Sequence, residues 1–158
     1  MQYCNVAWAS APAEFAVIAD STPRRVDQKQ DEIRSMAMTL TSRVREEGDL
    51  LIIEVAGDFS IENMRAGINL IRDEVTRRGR NRVLVDAMKI GSPPTTMIEL
   101  STGVYTAEVL GGDIRIAFLH SSAGITKFGE NVAVNRGATG LRVVGSMEEA
   151  LAWLRPGE

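Results

Sequence analysis

From Thr39 onward the chain alternates between short apolar runs and helical stripes, with a turn signal at most changes. Leu50 to Ala56 is a dense, largely aliphatic run of strand length, closed by Gly57-Asp58. The turn signal Glu47-Gly48-Asp49 precedes it and links it to a short edge strand over Ser42–Glu46. Ile61, Met64, Ile68, Ile71 and Val75 then recur at spacings of 3, 4, 3 and 4, which puts all five on one helical face. Ser60 is the N-cap of that helix and Gly79 its stop. Its other face, with Glu62, Arg65, Asn69, Arg72, Asp73 and Arg77, is left for water.

The same alternation continues to the end. Val83–Asp86 reads as a strand, and a second helix runs from Thr95 or Thr96 to about Leu110, stopped by Gly111-Gly112-Asp113. Ile114–His120 is a strand, Thr126–Arg136 a helix ending at Gly137, and Leu141–Val144 the last strand. Ser146 and Glu149 form a capping box for a final helix. Ala150, Leu151 and Leu154 make its buried face, Trp153 lies alongside, and Pro156 prevents continuation. This order predicts a single α/β domain: a mostly parallel sheet of four to five strands with about four helices, the first strand pair being antiparallel.

Residues 1–38 follow a different rule. Pro12, Pro23 and a polar run from Arg24 to Arg34 break any apolar period. They read as a flexible or loosely docked arm ahead of a domain over 39–158, or as codons upstream of a true start at Met36 or Met38. A short docked helix around Ala13–Ala19 is the remaining alternative.

Composition narrows the function. The 158 residues carry a net charge of −3, which gives no general attraction to nucleic acid or anionic lipid. Cys4 is the single cysteine, so no internal disulfide forms. No apolar stretch reaches the ~20 residues of a membrane span. The first apolar stretch, broken by Ser10, Pro12 and Glu14, makes a poor export signal. The expectation is a cytoplasmic protein without an integral membrane segment.

The segment from Ser42 to Leu154 resembles the STAS fold of bacterial anti-sigma-factor antagonists and of the cytoplasmic tails of sulfate transporters, and most of all a divergent STAS/SEC14-like branch. Three stretches carry the resemblance: Val83-Leu84-Val85-Asp86; Phe128-Gly129-Glu130-Asn131-Val132-Ala133-Val134-Asn135-Arg136-Gly137-Ala138; and Met147-Glu148-Glu149-Ala150-Leu151-Ala152-Trp153-Leu154. The resemblance implies a regulatory, protein-binding role. In the antagonists the aspartate-ended strand leads to an Asp-Ser-Gly loop with a phosphorylatable serine. Here the loop reads Met88-Lys89-Ile90-Gly91-Ser92-Pro93-Pro94-Thr95-Thr96, without that motif. Ser92, Thr95 and Thr96 are the hydroxyls in the corresponding region and the candidate phosphoacceptors.

The candidate binding residues are Asp86, Ser92, Thr95, Thr96, Lys127 and Asn131. Asp86 ends a strand, where open α/β sheets gather their ligands. The plainer reading is an aspartate that bonds nearby backbone amides. Pro93 and Pro94 stiffen the following loop, and the helix start behind it favours negative charge. Lys127, Asn131 and Asn135 share one face of the third helix, while Phe128, Val132 and Ala133 turn toward the sheet. His120 is the single histidine and has no metal-ligand spacing around it. Neither a nucleophile–base pair nor a phosphate-binding glycine loop is legible, so no catalytic residue, metal or cofactor is assigned. The leading reading is a non-catalytic regulatory module that binds a protein partner or forms a homodimer. The alternative is a carrier or sensor of a lipid or other small apolar ligand, suggested by seven methionines.

Overall fold

The computed structural model describes residues 40–91, 93–121 and 126–155. The arm and the helix considered at Ala13–Ala19, together with Ser92 and Pro156, lie outside the described residues. Five strands and four helices follow one another as β1 (Thr41–Glu47), β2 (Leu50–Gly57), α1 (Ile61–Arg78), β3 (Arg82–Ile90), α2 (Thr96–Leu110), β4 (Arg115–Leu119), α3 (Phe128–Asn135), β5 (Leu141–Val144) and α4 (Met147–Leu154). The sheet order is the chain order, β1-β2-β3-β4-β5. β1 and β2 pair antiparallel across the Gly48 turn, and each later pair is parallel.

That order decides which face each helix covers. Right-handed crossovers are the rule for parallel strands. Repeated with every step in the same direction across the sheet, they land each crossover helix on the same face. Leu51, Ile53, Val55, Val83, Val85 and Ile116 form that face's core with Met64, Ile68 and Ile71 of α1 and Leu110 of α2. The strand residues between them, Leu50, Ile52, Leu84, Ala117, Leu119 and Val144, point the other way and meet Ala150 and Leu154 of α4.

The caps expected from sequence are in place. Ser60 Oγ accepts from Asn63 N at 3.1 Å, and Gly79 ends α1 at φ 63°, a conformation that costs glycine little. Thr95 Oγ1 caps α2. In α4, Ser146 Oγ accepts from Glu149 N at 3.2 Å, and Glu149 Oε2 returns to Gly145 N at 3.1 Å. The carbonyls at the other end of α4 are met by arginines, Arg82 at Leu154 O and Arg115 at Arg155 O. Trp153 Nε1 donates between Ile116 O and Gly140 O.

Three expectations need correction. β3 does not end at Asp86 but runs on to Ile90. One extra residue in β3 shifts its register against β2, from Glu54↔Asp86 to Ala56↔Lys89, and beyond that bulge the pairing resumes. Phe128 is exposed, and Val132 and Ala133 alone carry the buried face of α3. Leu151 is also exposed, because the buried positions of α4 are Ala150 and Leu154, one turn apart.

Candidate functional site

Every parallel strand ends at the same edge of the sheet, so the β3–α2 and β4–α3 connections and the starts of α2 and α3 gather there. The two helix starts touch. Thr126 Oγ1 lies 2.9 and 2.8 Å from the two carboxyl oxygens of Glu99. A Cβ on Gly103 would sit 2.5 Å from Gly129 O and 2.9 Å from Val132 Cβ. Only glycine allows α2 and α3 to approach this closely.

The sequence candidates divide between two faces. Thr95, Thr96 and Lys127 stand exposed at the two helix starts, and Asn131 is exposed on α3. Asp86 does not join them. It follows Leu84 on the face that α4 covers in part, and it pairs in register with Glu54, which is bonded to Arg45 at 3.2 Å. Its Oδ1 accepts from Met88 N at 3.1 Å, at the bulge. The plainer reading of Asp86, a carboxylate bonding a nearby amide, describes this contact. His120 is 4% exposed, with Nδ1 2.7 Å from Ser121 O. A carbonyl only accepts, so Nδ1 carries the hydrogen. The ring of Phe59 lies 5.5 Å away, centroid to centroid.

Two features lie beyond the sequence candidates. The first is a pair of exposed apolar side chains at the two touching helix starts: Met97 at 65% and Phe128 at 38% exposure. The second is a cavity of about 120 Å³ between the sheet and α1, α2 and α3. Its walls are mostly aliphatic, with Ile53, Val85 and Ile116 from the sheet and Met64 and Ile68 from α1. Glu99, 7% exposed, lines it from α2 together with Thr102.

No protein-family model and no curated protein matches this chain. Among solved structures, an anti-sigma factor antagonist from Mycobacterium paratuberculosis superimposes with a TM-score of 0.53 at 13% identity, over 75% of this chain and 96% of that one. The fold is STAS-like. An uncharacterized protein with a SpoIIAA-like fold from Shewanella loihica is matched at a TM-score of 0.44 and 12% identity, over 73% of this chain and 94% of that one.

In this STAS-like domain the cavity and its carboxylate escaped the sequence reading for a definable reason. α2 has only two charged residues, Glu99 and Glu108, and apolar residues on every side, so no amphipathic stripe marks its inner face. The available signal was the spacing of Glu99, Gly103, Thr106 and Leu110 by 4, 3 and 4, which lines up the helix's buried residues. No described helix is long and apolar enough to cross a membrane. Among the described residues no group of three or more His, Cys, Asp or Glu side chains could hold a metal.

Proposed function

We propose that this chain is a non-catalytic regulatory module that docks a protein partner, or a second copy of itself, at the carboxyl edge of its sheet. The observation that carries the reading is the exposure of Met97 and Phe128 at the two helix starts of that edge. Large apolar side chains grouped at one edge and rimmed by polar residues are characteristic of protein-binding surfaces. Here the rim is Thr95, Thr96, Lys127 and Asn131. Pro93 and Pro94 restrict the loop between them, which lowers the ordering cost of docking. The fold shared with an anti-sigma factor antagonist supports a regulatory role.

Thr95 and Thr96 also sit at the start of α2, where unpaired amides and the helix dipole favour a phosphate. With Ser92 they are the sites at which a kinase would act on the docking edge. Phosphopeptide mapping after kinase treatment should find modification at Ser92, Thr95 or Thr96. Modification confined to other positions removes the switch from the proposal.

Docking is tested by native mass spectrometry and size-exclusion chromatography of the chain with whatever protein, or second copy, co-purifies. Met97→Asp with Phe128→Asp should weaken association by about tenfold or more, a loss of ~1.4 kcal/mol. Stability should change by less than ~1 kcal/mol, as is usual at surface positions. Association that survives these changes but fails on altering Arg65, Asn69 and Arg72 of α1 puts the interface on the wrong side.

A second reading, a carrier or sensor of a small apolar ligand, is favoured by one observation: the apolar cavity beneath α1 and α2.

A further inference from the structure

The cavity is mostly aliphatic; its polar lining residues are Asn63 on α1, Glu99, Thr102 and Thr106 on α2, and Thr126 and Glu130 at the start of α3. Glu99 and Thr102 stand three residues apart on α2, so they share a face, and both line the space. Thr126 faces Glu99 from the start of α3. A threonine hydroxyl has one hydrogen, so Thr126 satisfies one carboxyl oxygen of Glu99 at a time. The other has no donor among the described residues. Thr102 Oγ1 is buried and likewise has no hydrogen-bond partner among them. Two polar side chains on neighbouring positions of one helix face therefore line a mostly aliphatic space with unmet hydrogen-bonding capacity. Native interiors rarely leave such groups unpaired.

We infer that this face of α2 recognises the single hydroxyl of a small, neutral, otherwise apolar molecule, a phenol or a short-chain alcohol. The inference rests on the carrier reading and names its ligand class. A hydroxyl both donates and accepts, so one group can give its hydrogen to the free oxygen of Glu99 and receive that of Thr102. Side chains three apart on a helix have Cβ atoms about 5–6 Å from each other, a gap one oxygen can bridge. An ammonium can donate to Glu99 and to Thr102 alike, but it must shed its water to enter a mostly apolar space, a cost a neutral hydroxyl avoids. A carboxylate only accepts and would meet the Glu99 carboxyl group. Size sets the other limit. An apolar cavity of about 150 Å³ holds benzene, so a space of about 120 Å³ takes a body near one six-membered ring. Met64 of α1, which also lines the space, is unbranched and flexible enough to shape itself to such a guest.

The test is a titration of the full chain, followed by NMR, with four probes sharing one ring: benzene, phenol, benzoate and benzylammonium. Saturable binding of benzene is expected, with phenol about tenfold tighter and the two ions weaker than either. Thr102→Val keeps the side-chain shape and should reduce the preference for phenol over benzene without altering benzene itself, the bond to Glu99 remaining. Thr102→Ser should keep the preference. Gly67→Leu should exclude every probe, since Gly67 lines the cavity and a Cβ there meets, among the described residues, only Leu40 Cδ2, at 3.7 Å. Equal affinity for phenol and benzene in the unaltered chain, or a preference for either ion, overturns the hydroxyl assignment and leaves the carrier reading standing. No saturable binding of any probe overturns both.

Discussion

Gly103 and Gly67 are both helical glycines, yet their surroundings predict opposite responses to the same substitution. A methyl group on Gly103 would press into Gly129 O and the Val132 side chain, both fixed by the helix that carries them. Gly103→Ala should therefore destabilise by ~2 kcal/mol or more through overpacking, enough to outweigh the better helix propensity of alanine. A methyl group on Gly67 meets ordinary van der Waals space. Gly67→Ala should stabilise by up to ~1 kcal/mol through propensity alone. Urea denaturation of the two variants against the parent decides both, and a stabilised Gly103→Ala would show that α2 and α3 do not approach so closely. Neither response could be read from the chain, because a glycine within a helical run carries no mark of what its missing side chain would strike.

Among the elements, those with local chemical punctuation were the legible ones. β5 has the bounds its apolar run implies, and α1 lies between its Ser60 cap and Gly79. β3 outran its reading because Met88-Lys89-Ile90 lacks a dense apolar run, and its pairing with β2 is a tertiary matter. Phe128 and Leu151 misled for a related reason. Large apolar residues at a helix start or on a narrow helix need not find a partner surface, and periodicity does not say how wide the buried stripe is. The carboxyl edge was legible from topology, but its division by Asp86 was not, since a strand residue's face follows from register. One prediction belongs at this level. At the end of α1, hydrogen bonds from Arg78 and then Arg77 hold the Glu74 carboxyl below its ordinary range, and Arg78 also bonds Glu46 of β1 at 2.9 Å. A depressed carboxyl group stabilises the fold above its unfolded value and loses that contribution as pH falls through the folded one. Glu74→Gln should therefore lower stability at neutral pH and flatten the acid limb of the stability profile below about pH 4.5. Parallel acid limbs for variant and parent would show that the pair contributes nothing.

Among the described residues the molecule is wound on one side: three crossover helices cover one face of the sheet, and α4 covers part of the other. The outer strands of the described sheet are β1 and β5. β1 carries Arg43, Arg45, Glu46 and Glu47, and β5 is four residues long. Charged or short edges resist the addition of another strand, which favours partners that dock on loops and helix ends. We expect removal of residues 1–35 to leave this unit folding cooperatively, since that stretch lacks an apolar period. Thermal melts of the full and shortened chains test this, and loss of a cooperative transition would assign the segment to the core. The β1–β2 turn has a separate use. Gly48, at φ 63°, sits where the parallel strands begin, a full strand length from the edge at which they end. A fluorophore or short peptide tag grafted at that turn would report on the molecule while leaving its opposite end free to bind.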